Sequence, residues 1–255
     1  MPDSLPELLA FDFDGVICDG LVEYFQTSWQ AYCQLYKPEV TGPPTGLAER
    51  FYKLRPVIET GWEMPILLQA LIAGETDEAI IAGWPAMANP YLNDAGLTPE
   101  QTVKAVDGTR DQWISNRLDS WLDLHRFYPH MLTVLSSAIS LTTTYIVSTK
   151  EGRFIRQLLE KNDVHLPSDR IIGKEIKQPK YETLRQLMAK HKTLSVWFIE
   201  DRLKALTAVK QQSDLADVKL FLADWGYNLK PERETAQQDD RIDLLSLGQL
   251  VQMFE

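Results

Sequence analysis

The residues best suited to chemistry are two aspartates near the start of the chain. Asp12 and Asp14 follow the apolar run Leu8–Phe11 and precede Gly15. Side chains alternate along a strand, so two residues of the same parity can point to one side as the strand ends. Paired carboxylates in an apolar setting repel each other and are costly to desolvate unless a cation or a proton compensates them. The sequence therefore predicts a metal ion at this position.

Two other interpretations of the pair remain open at this point. Aspartate and glycine are common turn residues, so Asp-x-Asp-Gly can also be a surface turn. An EF-hand calcium loop beginning at Asp12 would place a glutamate at its twelfth position, and Glu23 stands there. Val16, Cys18 and Gly20 are poor calcium ligands, however, and the preceding segment is strand-like, which disfavours the EF-hand.

The composition indicates an ordinary globular protein. The chain has 255 residues, of which 44% are hydrophobic and 24% charged. A net charge of -10 argues against nucleic acid as a partner, because DNA and RNA require a basic surface. A small anionic substrate is compatible with this charge, since a few local cations decide such binding. Apolar runs end before membrane-spanning length, so no membrane partner is expected.

The cysteines and the N-terminus bear on location. Cys18 and Cys33 are too few for a disulfide framework and lack metal-site spacing. Met1–Ser4 runs into the first strand within a few residues, which leaves no room for a signal peptide. We therefore expect a reduced, cytoplasmic protein, and the sequence does not disclose its oligomeric state.

Residues 18–127 have a mostly helical pattern with their own aromatic core. Five of the chain's seven tryptophans lie here, and packing is the expected role of these side chains. Loops are predicted at 37–44 and again at 84–99. Thr98 with Gln101 forms a capping-box pattern, so a long helix is expected to begin at Pro99 and run toward Trp121.

After residue 127 the pattern changes to alternating strands and helices. Such alternation predicts parallel βαβ units. The strands are expected near Thr144–Ser148, Arg170–Ile172, Leu194–Ile199 and Val218–Leu222, and the helices at Glu151–Asn162, Tyr181–His191 and Leu203–Gln212. Leu8–Asp12 belongs to the same sheet, because it is too short and apolar to stand alone. The expected fold is α/β, with residues 1–17 and 128–255 forming one domain and residues 18–127 inserted into it.

Polar residues follow several of these strands. Ser148 brings a hydroxyl to the sheet edge, where it can hold an anion or cap a helix. Residues 173–180 carry three lysines, of which one could neutralise phosphate, although a solvated basic loop is equally consistent. Glu200 and Asp201 form a second acidic pair, which could also begin a helix.

Together these motifs resemble the haloacid dehalogenase-like hydrolase superfamily. The acid pair, hydroxyl, lysine and second acid pair occur in that order over nearly the whole chain. The chain looks most like the helical-cap branch of phosphoglycolate phosphatase and β-phosphoglucomutase. Ser148-Thr149-Lys150 looks like that branch's Thr-Asn-Lys, and Glu200-Asp201 looks like its Glu-Asp pair. The resemblance implies a Rossmann-like doubly wound core and a cap formed by residues 18–127.

The resemblance also implies roles for the first acid pair. Asp12 would be the nucleophile that forms an aspartyl-phosphate. Asp14 would be the general acid that protonates the leaving oxygen, and then the base that activates water. Dehalogenases of the superfamily lack an acid at the second position, so the resemblance favours a phosphatase.

The implied cofactor is Mg²⁺, held by the Asp12 carboxylate, the Asp14 backbone carbonyl, Glu200 and Asp201. The phosphate ligands implied in the same way are Ser148, Thr149 and Lys180. Two departures bear on these assignments. The branch's usual Lys-Pro motif is absent, so Lys177 competes with Lys180, and Ala205 stands where many relatives place a further acid, which leaves Glu200 to take its part.

The function implied is hydrolysis of a small phosphorylated metabolite by a Mg²⁺-dependent phosphatase. A phosphomutase of the β-phosphoglucomutase type and a non-catalytic regulatory protein with the same fold are the alternatives. Selectivity would come from the cap, where Arg55 could meet a substrate carboxylate or second phosphate. A surface salt bridge from Arg55 to Glu59 at helical spacing is the simpler interpretation of that arginine.

Overall fold

A computed structural model of the chain describes residues 4–254. Met1–Asp3, on which the expectation about the N-terminus rests, lie outside the described residues. The strands of the described part are β1 (Leu8–Phe11), β2 (Cys18–Asp19), β3 (Arg126–Phe127), β4 (Thr143–Val147), β5 (Ile171–Ile172), β6 (Val196–Glu200), β7 (Lys219–Ala223) and β8 (Ile242–Leu245). The α-helices are α1 (Leu21–Tyr36), α2 (Leu47–Leu54), α3 (Glu63–Ile72), α4 (Asp77–Asp94), α5 (Pro99–Leu122), α6 (Met131–Leu141), α7 (Gly152–Lys161), α8 (Lys180–His191), α9 (Leu203–Lys210), α10 (Lys230–Gln237) and α11 (Leu247–Phe254).

The chain divides into two compact units. Residues 1–19 and 126–255 form one, called here the α/β unit, and residues 20–125 form the other, called the helical unit. The expected boundaries were 17/18 and 127/128, and the role of the inserted unit as a cap stays a prediction. None of the helices between residues 4 and 254 has the length and apolarity needed to cross a bilayer.

The α/β unit contains a six-stranded sheet in the order β5-β4-β1-β6-β7-β8. Every neighbouring pair in it is parallel. All four residues of β1 are buried, which explains why this strand is a continuous apolar run. β1 lies between β4 and β6, where the winding of the chain reverses direction. Ligands of open α/β sheets bind beyond the carboxyl ends of the strands at such a point. The predicted Rossmann-like, mainly parallel α/β fold is confirmed.

Two predicted details of the strands and helices were incomplete or wrong. The last strand, β8, was not predicted, because it is a short edge strand interrupted by the exposed Asp243. The predicted loop at 84–99 was wrong over 84–94, since α4 continues through Pro85 and Pro90 to Asp94, and only 95–98 form a loop before α5. Trp84, Ala88 and Leu92 are spaced four residues apart and all are buried, so packing of this face outweighs the hydrogen bonds that the prolines cannot donate.

The helical unit consists of α1–α5 and has its own buried core. Trp84 and Trp121 are almost fully buried, in agreement with the packing role expected of them. The capping box at the start of α5 is present, with the Thr98 hydroxyl accepting from the Gln101 amide and the Gln101 side chain accepting from the Thr98 amide. The helix is kinked at Arg117, where φ is -152° and ψ is 62°.

Candidate active site

Three carboxylates meet at the carboxyl edge of the sheet. Asp12 directly follows β1. Glu200 is the last residue of the adjacent strand β6, and Asp201 directly follows it. The Asp12 amide donates to the Ile199 carbonyl at 2.9 Å, which continues the pairing of these strands. One oxygen from each carboxylate lies within 4.8 Å of the others, and all three residues are buried. We call Asp12, Glu200 and Asp201 the acidic cluster.

Lys180, the first residue of α8, contacts two members of this cluster. Its Nζ lies 2.8 Å from Asp12 Oδ1 and 2.8 Å from Glu200 Oε2. Burial disfavours the charged lysine, but the charges of Asp12 and Glu200 outweigh that cost and raise the pKa of Lys180. When all four groups are ionised, the three carboxylates and the Lys180 ammonium together carry two net negative charges.

Burial and neighbouring negative charge raise the pKa values of both members of the second acid pair. Burial, followed by the charge of Asp12, raises the pKa of Glu200 well above its ordinary value. The same causes, in the same order, raise the pKa of Asp201 to about 7. A hard divalent cation such as Mg²⁺ takes carboxylate oxygens as ligands and would neutralise this charge. The residues of the acidic cluster therefore fit the predicted metal in donor type, burial and charge.

Asp201 is held tightly from two sides. The Tyr227 amide donates to Asp201 Oδ2 at 2.7 Å, and the Asn228 side chain donates to the Asp201 carbonyl at 3.0 Å. Gly15, at a φ of 87°, and Gly226 approach so closely that a Cβ on either would overlap Asp201. These contacts limit the orientations open to the Asp201 carboxylate.

Asp14 stands apart from the acidic cluster and has a cation of its own. Lys150 Nζ lies 3.2 Å from Asp14 Oδ1 and 3.4 Å from Oδ2. The intervening Phe13 is fully buried and packs edge-on against Phe127. The two aspartates of the first motif therefore contact different lysines, as two groups with different tasks would.

The predicted phosphate ligands Ser148 and Thr149 follow β4, the other neighbour of β1. Ser148 is buried, and its hydroxyl accepts from the Lys150 amide at 3.2 Å. Thr149 is exposed. Because parallel strands end at a common edge, the hydroxyls of this segment, Lys180 and the acidic cluster occur at the same side of the sheet. An anion there would meet a cation and two hydroxyl groups.

Arg55 belongs to the helical unit and is described within it. Its guanidinium donates to the Ile58 carbonyl at 3.1 Å and lies over the Tyr24 ring at 4.8 Å. The turn that contains Arg55 ends at Val57, and Ile58 is extended. Glu59 is therefore not on the same helix, and the helical spacing assumed for an Arg55–Glu59 pair was wrong. A role of Arg55 in substrate selection stays a prediction.

Sequence reasoning did not assign three residues that shape this site. Lys150 was noted only as part of a motif, and Tyr227 and Asn228 were not singled out. The signal available for the last two was a polar segment directly after an apolar strand, Asp224-Trp225-Gly226-Tyr227-Asn228 after β7. Each parallel strand delivers the residues that follow it to the same edge, so this segment was a candidate on the same grounds as Ser148.

Comparison with known proteins bears on the fold. No family model matches the sequence, and no curated protein matches it. Among solved structures, the chain is similar to a haloacid dehalogenase-like hydrolase from Streptococcus pneumoniae, at 16% identity over 100% of both chains and a TM-score of 0.62. It is also similar to a protein from Haemophilus somnus 129PT described as a predicted phosphoglycolate phosphatase, at 14% identity over 100% of both chains and a TM-score of 0.64.

A third similar structure is described as a predicted phosphatase from Clostridium acetobutylicum, with 16% identity, 98% coverage of both chains and a TM-score of 0.59. At these low identities the similarity establishes the fold over the full length of the chain but not the activity. The activity has to be inferred from the candidate site. The chain therefore has the fold of the haloacid dehalogenase-like hydrolases, a mainly parallel α/β unit with an inserted helical unit.

Proposed function

We propose that this protein is a Mg²⁺-dependent phosphatase that hydrolyses a small phosphorylated metabolite through an aspartyl-phosphate on Asp12. The observation that carries the proposal is the acidic cluster, in which three buried carboxylates lie together and two of them, Asp12 and Glu200, contact Lys180. Phosphoryl transfer requires positive charge against developing negative charge, and a divalent cation with a lysine supplies it. The similar structures described as phosphatases support the same activity.

Asp12 is the proposed nucleophile. Its carboxylate oxygen would attack phosphorus, and the bond from phosphorus to the ester oxygen would break. Lys180 Nζ, 2.8 Å from Asp12 Oδ1, is placed to bind an oxygen of the transferred phosphoryl group as well as the nucleophile. Ser148, Thr149 and nearby backbone amides would hold the remaining oxygens.

Asp14 is the proposed general acid and base. It would give a proton to the leaving oxygen in the first step and take one from the attacking water in the second. Its carboxylate contacts Lys150, whereas Asp12 contacts Lys180, so the two aspartates are held by different lysines.

The residues that would hold Mg²⁺ are Asp12, Glu200 and Asp201, with the Asp14 backbone carbonyl as a fourth ligand. When bound, the ion would neutralise phosphoryl oxygens and lower the barrier to attack by an anionic nucleophile. Glu200 and Asp201 supply charge without taking part in bond formation.

The test is a phosphate-release screen over a panel of phosphorylated metabolites, with Mg²⁺ or with EDTA. We expect release that depends on Mg²⁺ and falls by at least about 10³-fold in Asp12→Asn, since that carboxamide cannot serve as the nucleophile. Equal release by the wild type and Asp12→Asn would contradict the mechanism. Isomerised sugar phosphate without free phosphate would instead indicate a phosphomutase, and no turnover of any kind would favour a non-catalytic role.

A further inference from the structure

The side chain of Asn228 connects the segment after β7 to Asp201. Asn228 is 5% exposed, and its Nδ2 donates to the Asp201 carbonyl at 3.0 Å and to the Ala223 carbonyl at 2.8 Å. Ala223 is the last residue of β7, and Asp201 directly follows the neighbouring strand β6. An amide nitrogen carries two hydrogens, so both are used here. One side chain therefore joins the carboxyl ends of two strands beside the acidic cluster.

Arg233, in the first turn of α10, holds the other end of the Asn228 side chain. Its Nη1 donates to Asn228 Oδ1 at 2.9 Å and to the Asn228 carbonyl at 3.0 Å. A charged donor makes a stronger hydrogen bond than a neutral one, and it polarises the amide that accepts it. The charge of Arg233 also acts on Asp224, where it opposes the burial that raises the pKa of that carboxyl. Arg233 thus strengthens the two bonds that Asn228 Nδ2 donates.

Asn228 and its neighbour Tyr227 hold different parts of Asp201. Asn228 binds the main-chain carbonyl, whereas the Tyr227 amide donates to the carboxylate at 2.7 Å. The position of the carboxylate therefore depends on where residues 227 and 228 lie. Loss of a group that orients a metal ligand typically costs about 10–100-fold in metal affinity.

We propose that Asn228 and Arg233 are positioning residues for Mg²⁺, with Arg233 acting through Asn228 to hold Asp201 in the orientation that binds the ion. This inference rests on the proposed function, which makes the acidic cluster a metal site. It extends that site to α10, a helix that contributes no residue to the acidic cluster. Affinity for the ion, and not only stability, then depends on a cation in α10.

The test is a calorimetric titration of Mg²⁺ into the wild type, Arg233→Met and Arg233→Lys at pH 8. We expect Arg233→Met to bind the ion at least about 5-fold more weakly than the wild type. Both bonds to Asn228 come from the single nitrogen Nη1, so one ammonium has enough donors to replace them. Arg233→Lys should therefore recover an affinity within about threefold of the wild type.

Arg241→Met is the matched control. Arg241 is also half-buried in the α/β unit, and its Nη2 donates to the carbonyls of Leu215 and Val218 at 3.4 and 3.3 Å. Val218 precedes β7, so these bonds lie at the amino end of the strand whose carboxyl end Asn228 holds. Both Arg241→Met and Arg233→Met should lower the unfolding temperature measured with EDTA, since each removes two hydrogen bonds. Only Arg233→Met should weaken Mg²⁺ binding.

Substitution of Asn228 tests the route by which Arg233 acts. We expect Asn228→Ala to bind Mg²⁺ at least about 10-fold more weakly than the wild type. Asn228→Ala/Arg233→Met should then match Asn228→Ala within about twofold, because Arg233 no longer has an amide to act through. Additive losses would show that Arg233 acts on the ion by another route and would overturn the inference. The arginine variants decide the matter if Asn228→Ala does not fold.

The same titrations, with phosphate release measured beside them, separate this inference from the proposed function. Unchanged affinity in Arg233→Met, or an equal loss in Arg241→Met, would overturn the inference, while Mg²⁺ binding by the wild type would still support the proposed metal site. Absence of binding in the wild type would contradict the metal site and overturn the inference with it. Binding that depends on Arg233, in a protein that releases no phosphate from any ester, would support the inference and contradict the phosphatase activity.

Discussion

Buried carboxylates occur in both units, and their surroundings differ. In the helical unit, Glu23 is fully buried and accepts hydrogen bonds from Arg110 at 2.8 and 3.2 Å. The Thr27 hydroxyl at 2.8 Å and the Trp121 indole at 3.0 Å also donate to it. The Arg110 guanidinium thus compensates the buried Glu23 charge, with the half-exposed Asp107 3.6 Å away on its other side, and each Glu23 oxygen has a donor. In the acidic cluster, three carboxylates lie together, and only Asp12 and Glu200 contact a lysine, Lys180.

The difference separates a structural acid from those of the candidate site. A buried carboxylate whose charge and lone pairs are all satisfied within the protein contributes to the fold. A buried cluster with surplus negative charge destabilises the fold unless something from outside completes it. Glu23 is also the residue that an EF-hand loop would use, and its pairing with Arg110 excludes that interpretation. The gathering of three buried carboxylates at one place therefore distinguishes the candidate site from a single buried acid.

The largest expected change in stability comes from breaking the buried ion pair between Glu23 and Arg110. Arg110→Met leaves Glu23 buried without its cation, so we expect the free energy of unfolding to fall by about 3 kcal/mol. Arg153→Met is the control, because its ion pair with Glu151 is exposed, and it should change stability by less than about 0.5 kcal/mol. Urea denaturation followed by circular dichroism measures both. Equal effects of the two variants would contradict the claim that the buried Glu23–Arg110 ion pair supports the fold.

A gain in stability, rather than a loss, is expected from a substitution in the acidic cluster. Asp201→Asn removes one of the repelling charges, so the metal-free protein should gain about 1 kcal/mol of stability. Mg²⁺-dependent phosphate release should fall by at least about 100-fold, since a metal ligand is lost. Asp243→Asn, at an exposed position of β8, serves as the control for both measurements. A loss of stability in Asp201→Asn without metal would contradict the role assigned to surplus charge.

The acidic cluster should also make stability depend on pH and metal. The pKa of Asp201 is raised to about 7, so the native state binds more protons than the unfolded state between about pH 4 and 7. The free energy of unfolding of the metal-free protein should therefore fall as pH rises through that range. Mg²⁺ competes with protons for these carboxylates, so its addition should raise the unfolding temperature more at pH 8 than at pH 5. Thermal unfolding with Mg²⁺ or EDTA at both pH values is the measurement, and an equal shift would count against the cluster as the metal site.

The smallest expected effect concerns the residue that supports Asp201. Tyr227 donates through its amide to Asp201 and through its hydroxyl to Asp19 Oδ1 at 2.9 Å. Tyr227→Phe removes the hydroxyl with its bonds to Asp19 and Tyr128 but keeps the amide, so stability should fall by about 1 kcal/mol while Mg²⁺ affinity stays within about twofold. Calorimetric titration with Mg²⁺ checks this. A large loss of affinity would mean that the Asp19 contact, and not only the amide, orients the metal ligand.

Much of the fold could be predicted from sequence because buried parallel strands are continuous apolar runs. β1, β4, β6 and β7 lie within one or two residues of the expected positions. The helix through Pro85 and Pro90 could not be predicted, since the packing that stabilises it is tertiary. Local pattern alone favoured a break there.

The candidate site was predictable to the extent that residues at strand ends share one edge. That rule places Asp12, Ser148 and Glu200 together without any knowledge of distances. Contacts between side chains that are remote in sequence were not predictable. Lys150 meets Asp14 across 136 positions, and Tyr227 meets Asp201 across 26. Such pairs depend on loop geometry that residue types do not specify.

The most direct test of the central claim is a calorimetric titration of Mg²⁺ into the wild type and Asp201→Asn at pH 8. Surplus charge in the acidic cluster predicts about one ion bound per wild-type chain, and at least about 10-fold weaker binding in Asp201→Asn. Absence of Mg²⁺ binding in the wild type, or unchanged affinity in the variant, would contradict the assignment of the acidic cluster as a metal site.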